Sequence, residues 1–163
     1  MGKVHEFDGD PVGFPMPVPS RRLLLDVNVW IALLDDDHVH NVQASVLIRQ
    51  PGLAIASCPL TENGVLRILN MPSYGRGAKA GFSVIRQKMQ LLCEQMDHEF
   101  WGDSLSLIRD DVLDFSRLGG HNQITDAYLL ALAVRHGGAL ATFDQRIGLN
   151  SVRGATAEHL VLL

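Results

Sequence analysis

The chain has 163 residues, of which 47% are hydrophobic and 20% charged, and its formal net charge is −4. One domain is the expectation at that length, with a core large enough to need no metal or disulfide staple. The two cysteines, Cys58 and Cys93, lack C-x-x-C spacing, no apolar run reaches the length of a membrane span, and an acidic body cannot coat nucleic acid non-specifically. A cytoplasmic protein without membrane contact is the expectation.

Residues 1–20 carry four prolines and three glycines with no periodic apolar pattern, which reads as a flexible or extended N-terminal arm. The single domain then occupies 21–163. Leu23-Leu24-Leu25 with Val27 and Val29 reads as a strand buried on both faces. Helices are predicted at about 28–35 and 39–49, and a second apolar strand at 52–57. Pro59 suits the first turn of a helix running to about Asn70, where Met71-Pro72 stops it. A further helix is expected over 78–97 and a third strand over 98–101. Thr125 is the expected N-cap of a helix to about Arg135, ended by Gly137-Gly138. Residues 139–143 and 159–162 complete the set as fourth and fifth strands. Strands separated by helices predict an α/β sandwich around a mostly parallel sheet.

Four carboxylates stand where a charge is costly or aimed. Asp26 follows three leucines at a strand's carboxyl end, the place where open parallel sheets bind ligands; its other reading is a cap for the next helix. Asp144 lies just past the fourth strand, and a turn or cap aspartate is an equal account of it. Asp126 opens a helix whose body, AYLLALAV, is apolar nearly all round, and a first-turn acid also complements the helix dipole. Glu62 shares a helix stripe with Val65, Leu66 and Leu69, with no base three or four residues on. Crowded together, these acids could not all stay ionised without a counter-charge. Oxygen-rich clusters take magnesium or manganese, which can activate water against a phosphodiester.

The stretches LLLDVNVWIALL, PLTENGVLRIL and ITDAYLLALAVRHGGALATFD resemble the PIN-domain nucleases, most closely the VapC toxins of bacterial toxin–antitoxin pairs. The similarity runs from about Arg22 to the C-terminus. It implies a Rossmann-like three-layer α/β/α sandwich with about five strands. It implies also a Mg2+- or Mn2+-dependent endoribonuclease, usually a homodimer, held inactive by a VapB-like antitoxin. Matched by motif, Asp26, Glu62, Asp126 and Asp144 are the catalytic and metal-binding acids, with Asn28 and Thr142 in support.

Between Glu62 and Glu94 lie no acids but five bases, Arg67, Arg76, Lys79, Arg86 and Lys88, with Tyr74 and Phe82 among them. They could hold an RNA backbone and stack bases, form a solvated helix face over core aromatics, or serve the dimer and antitoxin contacts that the resemblance implies. The histidines are not read as catalytic, and Trp30 and Trp101 read as core. Two other functions remain open: an RNA-binding or scaffold module without turnover, and an aspartyl-nucleophile phosphatase. The second normally wants Asp-x-Asp, where this chain has Asn28.

Overall fold

The computed structural model describes residues 21–75, 81–109 and 111–163. The expected arm, Arg76 and Lys79 lie outside the described residues. Five strands form one sheet: β1 (Leu23–Leu25), β2 (Ala54–Ser57), β3 (Asp97–Phe100), β4 (Ala139–Thr142) and β5 (Leu160–Leu162). Their order is β3-β2-β1-β4-β5, and every pairing is parallel. The helices are α1 (Val27–Leu34), α2 (Asn41–Ile48), α3 (Pro59–Leu69), α4 (Gly81–Gln95) and α5 (Ile124–Arg135). No helix among the described residues is long and apolar enough to cross a membrane.

Strand alternation splits the core into two layers. Leu23, Leu25, Ile55, Ala139 and Ala141 turn to one face and pack with residues of α1, α3 and α4, including Trp30, Val65 and Met89. Leu24, Ala56 and Leu140 turn to the other, against α5 and Trp101. Side chains two apart share a face of a strand, so this separation follows from the pleat and defines a three-layer α/β/α sandwich. Leu23, Leu24 and Leu25 are all fully buried, as the apolar run predicts.

Several boundaries differ from expectation for identifiable reasons. Val27 and Val29 belong to α1 and not to the first strand, because Asp26 caps α1 immediately after β1. Thr125 lies inside α5, whose cap is Gln123 with no side-chain hydrogen bond; a one-turn 3-10 segment over His121–Gln123 feeds straight into the helix. Asp97 is in β3 and not in α4, paired with Ala54, which moves that strand one residue toward the N-terminus. His159 ends a 3-10 turn ahead of β5.

Two glycines hold elements at close range or end them. Gly137 adopts a positive φ of 66° after α5, and the backbone N–H of Gly138 returns to Ala133 O, the C-terminal stop its position predicts. At Gly64 a Cβ would stand 2.7 Å from Val27 Cγ2, so the α1–α3 crossing needs glycine there. Glu62, in the first turn of α3, comes to lie at the carboxyl end of β2, beside Ser57.

A carboxylate site at the carboxyl edge of the sheet

Sheet order reverses at β1, since β2 lies on one side of it and β4 on the other. The crevice beyond the carboxyl ends of such strands is where open parallel sheets bind ligands. Asp26 leaves β1 into this crevice and Asp144 follows β4 by two residues, while Asp126 sits in the first turn of α5.

Asp26 is only 5% exposed. One oxygen accepts from the Val27 N–H at 2.6 Å and the other from the Thr142 hydroxyl at 2.8 Å. Both readings of Asp26 therefore hold: it caps α1 and it stands at the crevice. Burial pushes its carboxyl above the usual range; the bonds from Thr142 and Val27 oppose that, and the charge of Asp144 adds to it. Thr142 is fully buried and serves both acids, since its Oγ1 also accepts the Asp144 backbone N–H at 3.1 Å.

Asp126 is half-buried, and its carboxyl is raised to about 6 by burial first, then by the charges of Asp26 and Asp144. That like-charge crowding is the expected signature of carboxylates converging on one point. Asp144 moves the other way. Arg146, which the sequence reading passed over, grips it with Nε to Oδ1 at 3.0 Å and Nη2 to Oδ2 at 2.8 Å and holds it below the usual carboxylate range. A base two residues past a site acid is the signal that could have pointed to Arg146.

Glu62 is placed differently. Its Oε1 accepts from the Ser57 hydroxyl at 2.7 Å, and Ser57 Oγ also meets His98 Nε2 at 2.9 Å. A hydroxyl has one proton, so with Ser57 donating to Glu62 the His98 ring donates from Nε2. Burial lowers the His98 pKa, against the opposing charge of Glu62. Ser57 closes an otherwise apolar buried strand, a hydroxyl signal visible in GLAIAS, whereas His98 is reached only through its pairing with Ile55. Asn28 is exposed in the first turn of α1.

Of the five bases, Arg67, Arg86 and Lys88 are exposed; Arg86 donates to Gln90 at 3.1 Å and Lys88 to Leu34 O at 3.3 Å. Tyr74 is partly buried and donates its hydroxyl to Asp35, while Phe82 is 62% exposed. Trp30 and Trp101 are core residues, 0% and 2% exposed.

Among the described residues no group of three or more His, Cys, Asp or Glu side chains is placed to hold a metal ion directly. Magnesium keeps several of its waters and takes one or two carboxylates, so a closed protein cage is not its requirement. Hard oxygen donors, with Asp26 and Asp144 adding to the burial that raises Asp126, suit such a cation, and Arg146 on Asp144 is the charge already present to offset them.

An all-parallel three-layer sandwich with aspartates gathered at its topological switch defines a PIN-like α/β protein. The sequence profile of the PIN domain matches residues 23–153. Ribonuclease VapC44 of Mycobacterium tuberculosis (strain ATCC 25618 / H37Rv) is 43% identical over 143 residues, covering 87% of this chain and 99% of that protein. Ribonuclease VapC29 of the same strain is 38% identical over 135 residues, covering 83% and 93%. A crystal structure of VapBC2 from Rickettsia felis bound to a DNA fragment from their promoter aligns with a TM-score of 0.49 at 11% identity, over 76% of this chain and 88% of that one. The chain belongs to the PIN-domain family, alongside the VapC ribonucleases.

Proposed function

We propose that this protein is a VapC-type endoribonuclease, the toxin of a toxin–antitoxin pair, acting in the cytoplasm as a homodimer that a VapB-like antitoxin restrains. The observation that carries the reading is the placing of Asp26, Asp126 and Asp144 at one end of the sheet, Asp26 and Asp144 bridged by Thr142, and Asp126 raised to about 6 by burial and then by the charges of the other two. The extended identity to VapC44 and VapC29 supports the substrate class and the antitoxin partner. Asp26, Asp126 and Asp144 would hold Mg2+ or Mn2+, with Glu62 completing the acid set from α3. When bound, such an ion lowers the pKa of water for attack on the phosphodiester and stabilises the charge that develops on it.

The protein's own residues prepare that site. Thr142 fixes the Asp26 carboxylate, and its acceptance of the Asp144 N–H sets the turn that returns Asp144 toward Asp26. Arg146 pairs with Asp144 and offsets its charge, and a bound cation would take over that role. Asn28, exposed beside the cap, is available to hydrogen-bond substrate. Arg67, Arg86 and Lys88, and Arg76 and Lys79 with them, supply phosphate or antitoxin contacts, a sequence-independent attraction that weakens with salt.

The test is cleavage of total cellular RNA by the purified protein in magnesium, manganese or EDTA, beside Asp26→Asn. Discrete fragments that need metal and vanish in the variant support the reading. Metal-independent fragments, or full activity in Asp26→Asn, refute it. Absence of cleavage from folded, antitoxin-free protein transfers the fold to a binding role.

A further inference from the structure

Glu62 extends from the first turn of α3 on a long, flexible side chain. Beside it a cavity of about 240 Å3 opens toward α4, with Arg86, Gln90 and Cys93 on its wall. That room lets an unheld carboxylate turn, and the Arg86 guanidinium is the charge it would turn to. Arg86 instead donates to Gln90 at 3.1 Å. Cys93 stays a neutral thiol, pushed up to about 11 by burial and then by the charge of Glu62. The hydrogen bond described for the Glu62 carboxylate is the one from the Ser57 hydroxyl at 2.7 Å.

Ser57 is 1% exposed, and the pairing of β2 with β3 brings His98 to it, Nε2 lying 2.9 Å from Oγ. A carboxylate only accepts, so the single hydroxyl proton goes to Glu62 and Oγ accepts the Nε2–H of His98. Burial lowers the His98 pKa and favours the neutral ring that this arrangement needs. The other charges near His98, Arg22 and Glu99, pair with each other at 3.1 Å and leave Nε2 to Ser57. All the donors therefore point one way, from His98 through Ser57 to Oε1 of Glu62. In a chain of this kind each bond polarises the next.

We propose that Ser57 and His98 are positioning residues that hold the α3 acid, Glu62, in its working place. The proposal rests on the ribonuclease reading, in which Glu62 completes the acid set, and it leaves that role with Glu62. Ser57 and His98 touch neither RNA nor cation. They engage Oε1, keep the carboxylate from turning to Arg86, and leave Oε2 to the acid set. Such support matters because a displacement of about 1 Å at a reacting group can cost on the order of a hundredfold in rate.

The direction of the chain is read first, without cation or RNA. In EDTA at pH 7.5, long-range 1H–15N spectra of labelled protein distinguish the two neutral imidazole forms, and His98→Gln identifies the His98 signals among those of the seven histidines. The Nε2–H form is expected. The Nδ1–H form would mean that Ser57 gives its proton to His98 and not to Glu62, and overturns the proposal. Cleavage of total cellular RNA in saturating Mn2+ is read next. Ser57→Ala is expected to slow it about tenfold. In a Glu62→Gln background the same change is expected to cost nothing further, because residues acting through one group are not additive. His98→Leu is expected to slow cleavage as well, and His98→Gln, which can set an amide N–H near the place of Nε2, to restore most of the rate. A Ser57→Ala protein that cleaves as fast as wild type or faster overturns the proposal, the faster case showing that the contact holds Glu62 back. So does an equal loss with and without the Glu62 carboxylate, or an equal loss in both His98 variants, either of which assigns the pair to the fold alone. Should Glu62→Gln cleave too slowly to measure, the two His98 variants decide. Cleavage by wild type without this pattern defeats the positioning role alone, whereas no cleavage by folded wild type defeats the ribonuclease reading itself.

Discussion

Removing the charge of Asp126 should stabilise the metal-free protein, and only above mildly acidic pH. In the folded state its carboxyl titrates near 6, against 3.8 for the ordinary group. A raised acid pKa means that the folded protein holds this proton more tightly than the unfolded chain does. The contribution of Asp126 to stability therefore declines as pH rises from 3.8 through 6 and is fully unfavourable above that. Taken at ~1.4 kcal/mol per tenfold, the shift corresponds to about 3 kcal/mol. Asp126 is only half-buried, and solvent screening brings the recoverable part down to about 1–2 kcal/mol. For a chain of this size that is an increase in Tm of roughly 2–8 °C for Asp126→Asn. Thermal melts in EDTA at pH 4, 5.5 and 7.5 read it directly: the gain should be absent at pH 4 and complete at pH 7.5. Saturating Mg2+ should reverse the order, since a cation that binds only the wild-type fold stabilises it by about 2.7 kcal/mol at a hundred times its Kd. An Asp126→Asn protein melting at or below wild type in EDTA at pH 7.5 would refute the argument that burial, with the charges of Asp26 and Asp144 added, makes the ionised Asp126 costly.

Three further outcomes follow from the same geometry. Thr142→Val, nearly isosteric, leaves the buried Asp26 carboxylate and the partly buried Asp144 N–H each short of a partner; urea unfolding should show a loss of about 1–3 kcal/mol, and a variant as stable as wild type would remove Thr142 from its bridging role. Arg146→Ala should tighten Mn2+ binding a few-fold in calorimetry, because the cation no longer competes with a guanidinium for Asp144; weaker binding would show that Arg146 helps to assemble the site. Apparent Mn2+ affinity should be level above pH 6 and fall about tenfold per pH unit below it, as Asp126 takes up its proton; a profile flat down to pH 4.5 would show that Asp126 is not a ligand.

Much of this architecture could be read from the residues, and the failures have local causes. Three leucines followed by an aspartate mark a central strand and its carboxyl end, and the apolar body of α5 with Gly137 behind it marks a buried helix and its stop. The alternation Leu25, Val27, Val29 misled because β1 is only three residues long and a helix follows with no loop between. β3 reads DHEF, polar and mostly exposed at the edge of the sheet, so its position rests on pairing with β2 and not on any apolar pattern. Between Trp101 and Ile124 no period organises the chain, and its described residues form short 3-10 turns and one isolated bridge, Leu113 to Val152.

The site divides along the same line. Residues needed for their charge at the end of an element, Asp26, Asp126 and Asp144, were visible singly, because a carboxylate beside an apolar run is costly. Glu62 was visible in the same way, as an acid on an apolar helix stripe. Residues needed for a contact across strands were not: Ser57 and His98 meet only because β2 and β3 pair, and their link to Glu62 follows from that.

The central claim is that Asp26, Asp126 and Asp144 together hold the divalent cation on which RNA hydrolysis depends. Its most direct test is Mn2+ binding followed by electron paramagnetic resonance, with RNA cleavage scored on the same samples, for wild type, Asp26→Asn and Asp126→Asn. The account predicts that wild type binds Mn2+ and cleaves, and that each variant loses binding and cleavage in parallel while keeping its fold. Cleavage that persists in either variant, or Mn2+ affinity unchanged by both, would contradict it.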